Sequence, residues 1–282
     1  MRQQFMHSFA RTILSGLTAG ALVMPAAGTA AAQPSASPPP AAAVAFHVAP
    51  APFAVGEELR YSASFAGIRA GSATMKVEGI ESVRGRPAYH LVFTIDGGIP
   101  FYRVRDRYES WVDVQTLTSL RHVQNIREGS YHRNTTYEIF PDRAQYRKDN
   151  GPLEASVSQP LDDGSFIYAI RAAMPRVGET RRDDRYFRPD RNPVVLTGLR
   201  AETVKVDAGR FATTVIRPSI KAKGIFSENG DAQLWLSDDA NRYPVQLKSK
   251  FSKFSLTLEL QSVKPGDRVA QEAMIAEVLA AR

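Results

Sequence analysis

The side chains able to do chemistry in this chain of 282 residues are limited first by what is missing: there is no cysteine. That removes thiolate nucleophiles, Cys-ligated zinc, iron–sulfur clusters and disulfides. The histidines beyond the leader are His47, His90, His122 and His132, with no carboxylate at a recognised ligand spacing. Zinc needs three or four convergent ligands, so no metal and no cofactor is expected. Gly164-Ser165 lacks the Gly-x-Ser-x-Gly frame of a nucleophile elbow, and Ser165 reads as a helix-capping residue. No Gly-rich phosphate loop or dinucleotide fingerprint occurs. The acidic pairs Asp162-Asp163, Asp183-Asp184 and Asp238-Asp239 fit turns, where Asp bonds the backbone. Glycoside hydrolysis instead needs two carboxyls facing one sugar. A non-enzyme is the expectation.

Three constellations remain. The run Arg105-Asp106-Arg107 with Glu109 lies in a strand pattern that turns Asp106 toward the apolar face. A buried carboxylate needs a partner, and Arg171, one turn past Ile167, is a candidate from a helix. Such a pair would tie helix to sheet or anchor a ligand in a cavity. Arg181, Arg182, Arg185, Arg188 and Arg191 surround Tyr186 and Phe187, interleaved with Asp183, Asp184 and Asp190. They form a solvated loop or, through Arg181, Arg182 and Arg185, an anion or partner contact. Finally, Tyr61, Phe65, Tyr89, Phe93, Tyr108 and Trp235 are expected on inward faces. They fill a core, or line an apolar pocket if a curled sheet leaves its concave side open. The candidate ligand-binding set is therefore Tyr61, Phe65, Phe93, Tyr108, Trp235, Arg105, Asp106 and Arg171.

The elements that must position these residues are mostly strands. Leu59, Tyr61, Ala63 and Phe65 alternate with polar or small residues, as do Ala73, Met75 and Val77, and Tyr89, Leu91, Phe93 and Ile95. Period-two runs of this kind are half-buried strands. Further strands are expected at 104–113, 120–126, 131–140 and 144–148. A hairpin is expected around Asp207-Ala208-Gly209, and strands follow at Leu234/Leu236, Val245/Leu247 and 254–260. Phe166, Ile167, Ile170 and Met174 mark one helical face, capped by Asp162 or Asp163 and ended by Pro175. A tail over 266–282 reads as an amphipathic helix with Val269, Ala273, Ala276 and Leu279 as its stripe. About a dozen antiparallel strands curl on themselves. The fold class is all-β, an antiparallel barrel or half-barrel with a helix packed on the sheet.

At the front, Arg2 and Arg11 precede an apolar stretch over 13–23, and Ala30-Ala31-Ala32 satisfies the small-x-small cleavage rule. A signal peptide over 1–32, cut before Gln33, places the protein in the periplasm. No other stretch approaches membrane-spanning length. Residues 33–52 are Pro- and Ala-rich and read as a disordered spacer, and 53–265 as one domain. The formal charge of +7 includes the two leader arginines. The mild excess left suits an anionic surface without implying a nucleic-acid partner.

Phe53-x-Val55-Gly56-Glu57-x-Leu59-x-Tyr61 followed by Gly67-Ile68-x-Ala70-Gly71 resembles an exported bacterial family, domain of unknown function 3108. So do Tyr102-x-Val104-Arg105-Asp106, Asp162 with Tyr168 and Arg171, Ala208-Gly209-x-Phe211-x-Thr213, and Trp235-Leu236-Ser237-Asp238-Asp239 before Pro244-Val245. The resemblance implies an exported, β-rich domain and no particular activity. The functional expectation is a non-catalytic envelope protein that binds a lipid or lipid-linked glycan. The alternative is an assembly factor contacting a protein or polysaccharide through the Arg-rich loop and the tail helix.

Overall fold

The computed structural model describes residues 46–65, 67–99, 101–221, 231–251 and 254–281. The expected leader, its cleavage point and the spacer up to residue 45 lie outside them. A first meander comprises β1 (Glu58–Phe65), β2 (Ile68–Val83), β3 (Arg86–Ile99), β4 (Tyr102–Asp113), β5 (Ser119–Glu128), β6 (Tyr131–Phe140), β7 (Gln145–Lys148) and β8 (Leu153–Ala155). A crossover carries the short helix α1 (Ser165–Ala172). The second meander is β9 (Thr180–Asp183), β10 (Val194–Val206), β11 (Gly209–Ser219), β12 (Gln233–Ser237), β13 (Pro244–Phe251) and β14 (Phe254–Lys264), followed by α2 (Arg268–Ala280).

β14 pairs with β1, so the two meanders make one sheet of 14 strands with β8 and β9 at its edges. Among the described residues these strands pair antiparallel, with isolated parallel bridges at Leu161–Tyr186 and Val177–Gly198, and the sheet curls without closing. Alternation puts one residue set on the concave side of each strand. Register shifts at Arg60/Tyr61, Ala63/Ser64, Val77/Gly79 and Trp111/Val112 add the local twist that bends a sheet.

Helix α1 sits inside the curl. Phe166 and Ile170 pack with Tyr137, Ile139, Leu234 and Leu236, while Tyr168 and Ile167 pack with Phe53, Tyr61, Met75 and Leu91. The single stripe expected from sequence is thus only part of its buried surface: Tyr168 and Arg171 are buried as well. At its start, Asp162 Oδ1 accepts the N–H groups of Gly164 and Ser165 (2.8 and 2.9 Å), and Ser165 Oγ accepts that of Asp162 (2.8 Å). This reciprocal arrangement satisfies donors that a helix start leaves free. At its end, Arg242 Nη1 donates to the carbonyls of Arg171 and Ala172 (2.9 and 3.1 Å).

Two stretches differ from expectation. Residues 46–52, placed in the spacer, lie against the domain: Phe46, Val48 and Ala51 pack on the core, and Ala49 N–H donates to Val114 O at 2.8 Å. In α2 the stripe is shifted: Gln271 and Ile275 are buried, Met274, Val278 and the expected Leu279 pack on the core, and Val269, Ala273 and Ala276 are exposed. The docking of the helix start sets this phase, through Asp267 N–H to Val55 O (2.7 Å) and Val55 N–H to Gln271 Oε1 (3.3 Å).

Candidate functional site

One end of the curled sheet is sealed. Arg171 is fully buried there and grips Glu57 with both terminal nitrogens, at 2.6 and 2.9 Å. Its Nη2 also donates to the carbonyls of Pro52 (3.2 Å) and Asn241 (2.9 Å). Phe53, Tyr168 and Tyr243 surround the guanidinium with ring centroids 5.5–5.7 Å away. Burial disfavours the Arg171 charge, but the Glu57 carboxylate more than offsets it and the pKa is raised. The expected Arg171–Asp106 pair is therefore incorrect. Helix and sheet are tied by Glu57, from the lead-in to β1, because α1 projects Arg171 toward the N-terminal segment and away from β4.

Next along the concave wall is a buried polar anchor. Ser110 Oγ donates to Asp162 Oδ1 at 2.6 Å, and His122 Nδ1 lies 3.2 Å from the same hydroxyl. These are the residue types of a hydrolase triad in the wrong order. The serine meets the carboxylate directly, whereas a catalytic histidine stands between the two. All three side chains are buried, and their bonds lock the start of α1 against β4 and β5. Gly164 is required here, since a Cβ would collide with Ser110 Oγ.

The opposite end, which carries the β1–β2, β3–β4 and β5–β6 turns, is less filled. Along the inner face of β3, Tyr89 and Leu91 are buried but Phe93 and Ile95 are only half-buried. The same change occurs from Leu260 to Leu258 in β14 and from Tyr61 to Phe65 in β1. Phe93 and Tyr108 are cross-strand partners with ring centroids 6.2 Å apart, and Phe65 pairs with Leu256. With Ile167 from α1 these residues form a half-buried apolar stretch packed against the core.

On the same concave face sit two carboxyls, Asp106 and Glu128, each only 2% exposed. They stand close enough that the Asp106 charge bears on Glu128. Asp106 Oδ1 accepts the Arg127 N–H (2.9 Å), and Tyr108 and Tyr102 hydroxyls reach Asp106 and Glu128 at 3.4 Å. Burial raises the Asp106 pKa against these bonds. Burial first, then the Asp106 charge, push Glu128 to about 8.

The structure thus brings Tyr61, Phe65, Phe93, Tyr108 and Asp106 to one concave surface. Arg105 lies on the outer face, exposed and 3.9 Å from Asp96. Trp235 also faces outward, a correction to its expected position. Leu234 and Leu236 take the inner side, and Trp235 bonds Glu202 beneath Arg200 and Lys248. Of the Arg-rich stretch, Arg181 and Arg185 donate to main-chain carbonyls of Ala173, Gln159 and Leu117. Arg191 is buried on Tyr186, and Arg182 is exposed. Glu57, Ser110, Gln124 and Glu128 join the concave face without having been among the candidate residues. The last follows His122, Gln124 and Ile126 at the next inward position of β5, which alternation alone could have flagged. Among the described residues no cluster of His, Asp or Glu is arranged to hold a metal. No helix of theirs is long and apolar enough to cross a membrane.

Among solved structures the chain is similar to a β-barrel-like protein of domain of unknown function DUF1849 from Brucella abortus. Identity is 10%, with 76% of this chain and 99% of that one covered at a TM-score of 0.50. A Parabacteroides distasonis protein described as a candidate lipoprotein aligns at a TM-score of 0.34, 10% identity and 76% and 98% coverage. A Bacteroides fragilis protein with a YmcC-like fold aligns at 0.30, 12% identity and 76% and 97% coverage. The first of these supports the fold alone. No curated protein matches the chain. Residues 60–261 match the model of one family across both meanders and the crossover between them, and the chain belongs to that family, described as protein of unknown function DUF3108.

Proposed function

We propose that this is a non-catalytic envelope protein that holds an apolar or amphiphilic ligand, a lipid or lipid-linked glycan, in the open end of its curled sheet. The observation that carries the reading is the change from buried to solvent-accessible inward apolar side chains along β3, from Tyr89 and Leu91 to Phe93 and Ile95. A sheet folded only for stability would fill that face, since each buried side chain of this size contributes about 1.5–3 kcal/mol. The export signal of the sequence supports the envelope setting. The polar groups of this proposed chamber are few and local, as ligand pockets require.

The assembly-factor alternative has less support. Arg181 and Arg185 are engaged with the protein's own carbonyls, and the apolar stripe of α2 is turned against β2 and β3. The Ser110–His122–Asp162 group, buried and locked in its own bonds, supports anchoring over catalysis.

The test is a fluorescent fatty-acid probe titrated into the folded chain. Phe93→Ala is expected to weaken probe binding about tenfold by removing apolar contact area. Equal affinity in the variant and the parent, at unchanged stoichiometry, would place the ligand elsewhere and remove this reading.

A further inference from the structure

The exposed large apolar side chains among the described residues are Ile68, Phe101, Leu153, Val177 and Val269. Two of them share one place. Ile68 opens β2 just past the β1–β2 turn and is 71% exposed, and Phe101 sits fully exposed in the β3–β4 turn. The Gly71–Gly97 pairing puts Ile68 level with that second turn. Both therefore project from the rim of the chamber.

Phe101 carries two costs at once. Its ring is in water, and its backbone has φ of 70°, a left-handed conformation that glycine or asparagine adopts far more readily. With the ring fully exposed, burial among the described residues offsets neither cost. Behind the tips, on the outer face, stand Arg69, Arg103, Arg105 and Arg127, all exposed. The exposed carboxylate among them is Asp96, which bonds Arg103. Asp106 and Glu128 are turned inward and buried. The rise of a strand puts Arg103 about 7 Å behind Phe101. That spacing falls within the roughly 5–10 Å by which interfacial apolar groups bury into the headgroup/acyl boundary. Basic residues at that height meet the phosphates of an anionic leaflet.

We propose that this rim docks on an anionic lipid bilayer, with Phe101 and Ile68 inserted at the interface and Arg69, Arg103, Arg105 and Arg127 on the headgroups. The chamber mouth then opens onto the membrane surface. The inference goes beyond ligand binding in the chamber and stands independently of it, because the rim is complete without an occupant.

The test is flotation of the mature chain with vesicles of phosphatidylcholine alone, or of phosphatidylcholine and phosphatidylglycerol in equal parts. The parent protein is expected to float with the anionic vesicles and to be released by salt. Phe101→Gly is the informative variant. It relieves the left-handed strain, so the thermal midpoint holds or rises, while vesicle partition falls about tenfold from the lost ring. Arg69→Gln with Arg105→Gln should lower binding to anionic vesicles only. A parent that stays unbound, or a Phe101→Gly variant that floats as the parent does, overturns the proposal. Probe binding in the chamber is measured separately, so failure of either reading is distinguishable from failure of the other.

Discussion

Arg171→Met is expected to destabilise the fold by about 3–5 kcal/mol, the usual cost of stranding one member of a buried ion pair. Glu57 would keep its carboxylate at 2% exposure with its bidentate partner gone. The carbonyls of Pro52 and Asn241 would lose a donor as well, each a buried polar group left unpaired. At this domain size the change amounts to a fall of roughly 10 °C in thermal midpoint. Because Arg171 joins α1 to the N-terminal lead-in and to the β12–β13 turn, the loss should open the sealed end rather than one local contact. Glu57→Leu combined with Arg171→Met should recover part of the loss, since an apolar replacement of a whole pair is often near neutral. Urea unfolding of the two variants decides it. A single variant within about 1 kcal/mol of the parent would mean the pair does not hold the helix in place.

The second large effect is one of pH. Glu128 has a pKa near 8 in the fold against an ordinary 4.5. Over that window the folded state keeps a proton that the unfolded chain has released. Unfolding then releases protons, so stability falls as pH rises. The contribution is fully present below about pH 4.5 and is lost as pH passes through about 8. Asp106, also raised, acts in the same direction. The lowered pKa of Glu109 acts with the opposite sign, but below its ordinary 4.5 and so outside this window. Urea midpoints measured from pH 5 to pH 8.5 should decline for the parent. Glu128→Gln, neutral throughout, should flatten the decline and be the more stable form at pH 8.5. A variant that keeps the parent's slope would show that the raised pKa of Glu128 does not govern this pH dependence.

The strands were legible because their inward residues repeat every second position, and the hairpin at Asp207-Ala208 because Gly209 follows it. β9 was missed for a physical reason: Thr180-Arg181-Arg182-Asp183 is an edge strand with no apolar alternation to betray it. Trp235 was misplaced because Leu234, Trp235 and Leu236 are three apolar residues in a row, so alternation alone leaves two choices. The site was legible in part. The pattern turned Asp106 inward and marked it as needing a partner. Opposite-charge matching then pointed to Arg171, whereas the true neighbour is a second acid, Glu128, on the next strand. Arg171 in turn reaches a residue 114 positions away, a pairing set by the curl of the sheet and invisible to local spacing.

The most direct measurement is native mass spectrometry of the mature chain purified from its own envelope, set beside denaturing extraction of the same sample. The expected result is a reproducible added mass that leaves with organic solvent and returns when an amphiphile is supplied. A bare mass, with no thermal shift from any added amphiphile, would contradict it and mean that the concave end holds nothing.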